Sequence, residues 1–377
     1  MKRSTINVGP SAFLSLGVFL TGCGGGLKPA ARGDLLPSEF QPRPMLHAPA
    51  HEIARAKFPA VDMHQHLLLS DENDAVPADE LVAMMDKLNI RAMVHLTGGF
   101  GPDLSKAVAQ FSGRFPDRFL VFAQFDYSQV DHPDFSARMV TLLRDAKARG
   151  ARGLKILKNL GLGVRKKDGS LLTVDDPVLD AAWNVCGELG LPVAIHTSDP
   201  EAFFQPVDRH NERWDELGQH PEWSFLGKDY PTKEALLAAR DRVFARHPKT
   251  QFIALHVGNW PENLDAVSEM LDRHPNVVVE IGARHAELGR QPRRARKFIM
   301  DYSDRVLFGT DIAPTRSNDL SVPVYQNYFR FLETADEYFP YAYGGQGRWN
   351  IYGLELPDDV LEKVYSGNAA RVLGLSK

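Results

Sequence analysis

Residues 60–66 read Ala60-Val61-Asp62-Met63-His64-Gln65-His66, and this stretch decides the fold. It opens as an apolar run and closes on three polar residues spaced two apart. A strand points alternate side chains to opposite faces, so Asp62, His64 and His66 are predicted to share one face. Two imidazoles on one face can hold a single cation. His-x-His alone is weak, because thirteen histidines in 377 residues produce one by chance about as often as not. Its weight depends on what surrounds it.

Seven further apolar runs follow: 90–96, 119–125, 151–157, 192–196, 251–257, 277–281 and 305–308. All are rich in Val, Ile, Leu and Phe, as strands buried on both faces should be. Helical patterns separate them. Leu81, Met84, Met85 and Leu88 are spaced by three and four. Asp176-Pro177 supplies a cap and a first-turn proline, and Thr232 precedes a helix carrying Leu236, Leu237, Val243 and Phe244. Eight strand–helix units predict an α/β fold, a (β/α)8 TIM barrel, as one domain over 59–377. No glycine-rich phosphate loop follows the first run, which argues against a doubly wound sheet. Two stretches are longer than ordinary connections, 197–230 after strand 5 and 312–353 after strand 8. Both are rich in aromatic residues and are expected over the barrel mouth, as pocket wall or as packed lid.

The other strand ends repeat the polar signal. Strand 5 ends at His196, strand 6 at His256, and strand 8 runs into Gly309-Thr310-Asp311. Unpaired burial of each would cost kilocalories, so their convergence on one face predicts a shared metal site. Lys155 lies in the fourth run amid apolar neighbours and needs a partner. Arg284 follows the seventh run and could clamp a carboxylate or close a loop ion pair. Asp199 and Arg209 fall in the long fifth loop. Arg293, Arg294, Arg296 and Lys297 form a basic helical run, read first as a solvated face.

Asp62-x-His64-x-His66, His196, His256 and Gly309-Thr310-Asp311 together resemble the amidohydrolase superfamily. More narrowly, they resemble its amidohydrolase-2 branch of aminocarboxymuconate-semialdehyde decarboxylase-like proteins. Tyr365-x-x-Asn368-Ala369-x-Arg371-x-Leu373 is similar to that branch's closing segment. The resemblance implies that His64, His66, His196 and Asp311 are metal ligands and that His256 stands near the substrate. It implies one divalent ion per chain, zinc first, with iron, manganese or cobalt also compatible with nitrogen and oxygen ligands. Asp62 is then a support rather than a ligand. For Lys155 it leaves three readings: a cation for substrate or support, a carboxylated bridge between two metals, or an outward, snorkelling side chain. The implied catalytic pair is Asp311, accepting a proton from activated water, and His256, hydrogen-bonding the developing oxyanion.

The N-terminus reads as an address. Lys2 and Arg3 precede an apolar stretch too short to span a bilayer, and Leu20-Thr21-Gly22-Cys23 resembles a bacterial lipobox. The expected organisation is a lipoprotein signal peptide over 1–22, lipid on Cys23, and a flexible tether over 23–58 with glycines at its start and prolines along it. Arg32-Gly33-Asp34 within it is taken as linker chemistry. The expected location is an exported, membrane-anchored bacterial lipoprotein, on the periplasmic side or at the outer membrane. Cys186, beside Trp183, Val185 and Leu189, is read as a buried, inert thiol. A net charge of −4 and a pI near 6.4 make nucleic acid an unlikely partner. The partners expected are a small molecule and a membrane, and the chain is compatible with a homo-oligomer.

The leading expectation is a metal-dependent hydrolase of an amide, ester or lactone. The same residues would serve a nonoxidative decarboxylase of an aromatic or unsaturated acid. A tethered binding protein with a structural metal is the alternative from another class.

Overall fold

The computed structural model describes residues 43–317 and 321–375. The signal segment, Cys23 and most of the tether lie outside them. Residues 43–49 carry no regular secondary structure and are exposed. From His51 onward the segment read as tether is fastened to the domain. The His51 amide donates to Asp336 at 2.7 Å, the Ala56 amide to the Leu88 carbonyl at 3.1 Å, and Ala56 is buried.

Eight parallel strands, hydrogen-bonded in chain order, form the sheet. They are β1 (Ala60–Gln65), β2 (Ile90–His95), β3 (Phe119–Gln124), β4 (Gly153–Ile156), β5 (Val193–Ile195), β6 (Phe252–Ala254), β7 (Val277–Glu280) and β8 (Val306–Leu307). Closure comes from bonds between the first strand and the segment around the eighth. Met63 N–H donates to Phe308 O, Asp311 N–H to His64 O, and His66 N–H to Ile312 O, at 2.9–3.0 Å. The outer layer has one long helix after each strand: α1 (Ala78–Leu88), α2 (Gly101–Gln110), α3 (Phe135–Ala148), α4 (Asp180–Leu189), α5 (Lys233–Arg246), α6 (Leu264–Arg273), α7 (Pro292–Asp301) and α8 (Ser321–Glu333). The predicted caps are in place. Asp176 accepts from the Val178 amide ahead of α4, and Thr232 accepts from the Ala235 amide in α5. No helix among the described residues is long and apolar enough to cross a membrane.

Two apolar layers follow from strand alternation. Phe252, Ala254, Val277 and Val279 pack outward under the helices. Val61, Ile253, Val278 and Leu307 fill the lower barrel, floored by Ala369 and Leu373 of the C-terminal helix α9 (Asn368–Leu373). Asn368 fixes that helix by donating to the carbonyls of Ser303 and Val306 at 2.7 and 2.8 Å. This gives the closing motif a structural role. Cys186 is fully buried, and burial pushes its thiol pKa up, so it is inert as expected.

Two expectations need correction. The stretch 312–353 is not loop throughout, because it contains α8. Tyr325, Tyr328 and Phe329 on that helix's buried face pack with Phe308 and Tyr365 on the outer side of the barrel, and Phe331 packs on His285, so these aromatics serve the core. A small two-stranded sheet, Phe339–Pro340 with Asn350–Ile351, follows. The second correction concerns β1. Asp62 does not share a face with His64: it bonds Tyr325 of α8 at 2.6 Å, while Val61 and Met63 point inward. The β1–β2 register shifts between Asp62 and Gln65. That irregularity re-aims the strand and lets Met63 and His64 both turn inward.

Candidate active site

Above the apolar layer the strand ends carry the titratable groups. His64 lies near the end of β1 and His66 follows it, Lys155 stands on β4, His196 follows β5, His256 lies two residues past β6, Glu280 ends β7, and Asp311 lies four residues past β8. Asp311 Oδ1 is 3.0 Å from Nε2 of both His64 and His66. Its Oδ2 lies 3.8 Å from His256 Nε2. These one-atom ligands of His64, His66 and Asp311 all fall within 4.8 Å of one another, the spread a single cation spans. His256 Nε2 is 3.3 Å from His196 Nδ1, so His196 joins the cluster through His256. His196 Nε2 is buried with no hydrogen-bond partner, 3.4 Å from Asp199 Oδ1 but out of line for a bond. His196 thus turns Nδ1 to His256 and Nε2 toward Asp199, while the nitrogen and oxygen donors of His64, His66 and Asp311 suit a divalent cation.

The outer nitrogens decide what faces the centre. His64 Nδ1 is 3.1 Å from Glu280 Oε2, His66 Nδ1 is 3.3 Å from Thr97 Oγ1, and His256 Nδ1 is 2.8 Å from the Gly282 carbonyl. A carbonyl can only accept, so His256 Nδ1 carries its proton and Nε2 presents a lone pair inward. Asp62 holds the His64 backbone in place, accepting from Gln65, Thr310 and Tyr325 and from the His64 amide at 2.6–2.9 Å.

Burial opposes charge on every group, and the neighbours decide the outcome. Burial raises the cost of ionising Asp311, but the His64 charge and hydrogen bonds from His64 and His66 hold it well below the carboxylate range. Burial followed by the Arg284 charge drives His256 well below the ordinary histidine value, so it is neutral. Burial brings His196 to about 4 and Lys155 to about 8. Lys155 is buried, with Nζ 3.3 Å from His64 Nε2, which excludes the outward reading of this side chain.

The backbone is strained here. His256, Val257, Ala283 and Asp311 have φ of 56°, 55°, 53° and 62°. Left-handed backbone at non-glycine residues costs about 1–3 kcal/mol each, most of all at a β-branched valine, and such strain gathers at functional sites.

Arg284 is buried. Its Nη1 donates to the Ala283 carbonyl at 2.7 Å and its Nε has no hydrogen-bond partner. Asp199 pairs with Lys158 at 2.6 Å, and Arg209 is exposed and donates to His210 Nε2 at 3.2 Å. In the basic run, Arg294 pairs with Asp265, Lys297 with Asp301, and Arg296 bonds the Leu354 carbonyl. Sequence reasoning missed Glu280, Thr97 and the Gly282 carbonyl. Glu280 had one faint signal, as the acid ending a run of three valines at the height of the other strand ends.

Buried imidazoles and a carboxylate at the C-terminal mouth of an eight-stranded barrel define a metal-dependent barrel enzyme. The amidohydrolase-2 family profile matches residues 61–375, and the chain belongs to that family, within the amidohydrolase superfamily. No curated protein sequence matches it. Solved structures share the fold. A dihydroxybenzoic acid decarboxylase from Polaromonas sp. JS666, with bound manganese and the inhibitor 2-nitroresorcinol, is 15% identical with a TM-score of 0.53, covering 85% of this chain and 98% of its own. A 2,6-dihydroxybenzoate decarboxylase from Rhizobium is 18% identical with a TM-score of 0.51, covering 84% and 99%. An uncharacterized TIM-barrel protein from Bordetella bronchiseptica is 18% identical with a TM-score of 0.51, covering 84% and 98%.

Proposed function

We propose that the protein is a metal-dependent hydrolase of an amide, ester or lactone in a small aromatic or carboxylate-bearing substrate. His64, His66, His196 and Asp311 would hold one divalent ion, zinc by the ligand types. The ion's contribution when bound is to acidify water and polarise the scissile carbonyl. The observation that carries the reading is the position of Asp311. One carboxylate oxygen lies among the ligand histidines, and the other faces neutral His256. Ionised Asp311 takes the proton of the attacking water. Asp311 Oδ2 passes that proton to His256 Nε2, 3.8 Å away, and His256 delivers it to the leaving group, which restores both residues to their starting state. As a neutral ring with Nδ1–H bonded to Gly282 it accepts rather than donates, so it can support an oxyanion only after protonation. Arg284, buried with an unpartnered Nε and close enough to shift His256, is the candidate clamp for a substrate carboxylate.

The second reading is nonoxidative decarboxylation of an aromatic acid, supported by the carboxylate clamp and by decarboxylases among the proteins of the same fold. The two are separated by assaying the zinc- and manganese-loaded protein against lactones, esters, amides and hydroxybenzoic acids, with carbon dioxide release monitored. Hydrolysis without carbon dioxide supports the first reading, and carbon dioxide release replaces it with the second. Saturable binding without turnover leaves a binding protein. His64→Ala combined with His66→Ala should abolish metal loading, measured by elemental analysis, and full activity without metal would end the proposal. The lipid on Cys23 belongs to the same proposal as the means of holding the enzyme at a membrane, and mass spectrometry of the N-terminal peptide tests it.

A further inference from the structure

We infer that Glu280 is a positioning residue that fixes which nitrogen His64 offers to the metal centre. This rests on the metal-centre reading above and extends it to a residue that no ligand motif contains.

Glu280 ends β7 fully buried. A carboxylate in that position needs donors on every side. Its Oε1 accepts from the Gly282 amide. Its Oε2 lies 3.1 Å from His64 Nδ1 and 3.4 Å from the His256 amide nitrogen. All three neighbours are nitrogens, and two are backbone N–H groups that can only donate. With two backbone N–H groups aimed at it, the Glu280 carboxylate is placed as an acceptor, so the proton between Glu280 and His64 sits on Nδ1. With Nδ1 held by Glu280, His64 Nε2, which donates to Asp311 Oδ1 at 3.0 Å, is the nitrogen whose proton a cation would replace. Carboxylate–histidine pairs of this kind orient ligand rings and raise their basicity.

The surrounding chain makes room for this group and no other. A Cβ on Gly309 would collide with Glu280 Oε1 and Cδ, and a Cβ on Gly282 would collide with Oε1. Neither glycine has the positive φ that would require glycine for backbone reasons. Their smallness serves the carboxylate. Glutamine has nearly the same shape but cannot replace it. Whichever way its amide is turned, an NH2 group faces either the Gly282 amide or His64 and the His256 amide. Facing His64, it would donate to Nδ1 and move the ring proton to Nε2, away from its useful position.

The test compares the full-length protein with Glu280→Gln and Gly309→Ala. The second variant keeps the carboxylate but displaces it. Zinc affinity is measured by competition with a chromophoric chelator. The protonation of His64 in the zinc-loaded protein is read from 15N spectra of histidine-labelled samples. We expect zinc affinity to fall about 10- to 100-fold in Glu280→Gln, with a smaller fall in Gly309→Ala. We expect the unaltered protein to show a protonated His64 Nδ1. Unchanged affinity in both variants, or an unprotonated Nδ1 in the zinc-loaded protein, overturns the assignment while leaving the metal centre standing. An unaltered protein that binds no divalent metal overturns the metal-centre reading, and this inference with it. If Glu280→Gln does not fold, Gly309→Ala and the spectrum of the unaltered protein decide.

Discussion

The two halves of the barrel interior are built from the same eight strands and follow opposite rules. In the lower half Val61, Ile253, Val278 and Leu307 are buried, apolar and free of electrostatic demands. In the upper half titratable groups stand at the ends of β1, β4, β5, β6, β7 and β8, and several sit on left-handed backbone or lack a hydrogen-bond partner. The lower half supplies stability and the upper half uses it. A chain can hold buried imidazoles and strained turns only where a well-packed layer beneath over-determines their positions.

The sharpest way to break this contrast is at Asp311. Asp311→Asn should lower turnover about 10²- to 10⁴-fold while retaining metal far better than activity. Activity assays paired with elemental analysis check it, and equal loss of both would make Asp311 a ligand only. The mirror experiment lies below. Ile253→Ala should cost about 2–5 kcal/mol in denaturant unfolding and leave divalent-metal affinity unchanged, because the cavity forms in the apolar layer.

A third test uses pH. Burial pushes His95 and His285 down to about 3. His95 accepts from the Leu67 amide, and His285 lies among Tyr328, Tyr341 and Tyr343. Both are neutral in the fold. Below about pH 6.5 the unfolded chain takes up protons that the folded one refuses. Stability is therefore fully present above that pH and is lost as pH falls toward 3. Replacing His285 with phenylalanine should flatten the loss by about 1 kcal/mol per pH unit, seen in denaturation curves at pH 7, 6 and 5. The smallest effect belongs to the strained turn after β7. Ala283→Gly removes a left-handed Cβ penalty and should stabilise by about 1 kcal/mol, a rise of roughly 2 °C in Tm.

Much of this was legible in the sequence because it is local. Apolar runs and helical spacings marked all eight strand–helix units, and strand-end position singled out His64, His66, His256 and Asp311, which the fold gathers. What was not legible depends on contacts across the barrel. The shift that turns His64 inward arises from pairing with β2, which no periodicity within 60–66 reveals. Glu280 looks like any polar strand terminus until His64 stands opposite it. Asp199 sits in a loop whose path is fixed by Lys158 and Lys233. The helix hidden in 312–353 was masked by its aromatic content, which reads equally well as a pocket wall.

The ring of strands is closed by its first member meeting its last, and Asp311 lies 245 positions along the chain from His66. During synthesis β1 is the earliest strand to emerge and β8 the latest. The histidines of the first strand therefore wait, without their carboxylate, until nearly the whole polypeptide has been made. Ion capture becomes a signature of completion, and a chain stopped before residue 305 should be unable to retain a divalent metal however well its earlier segments fold.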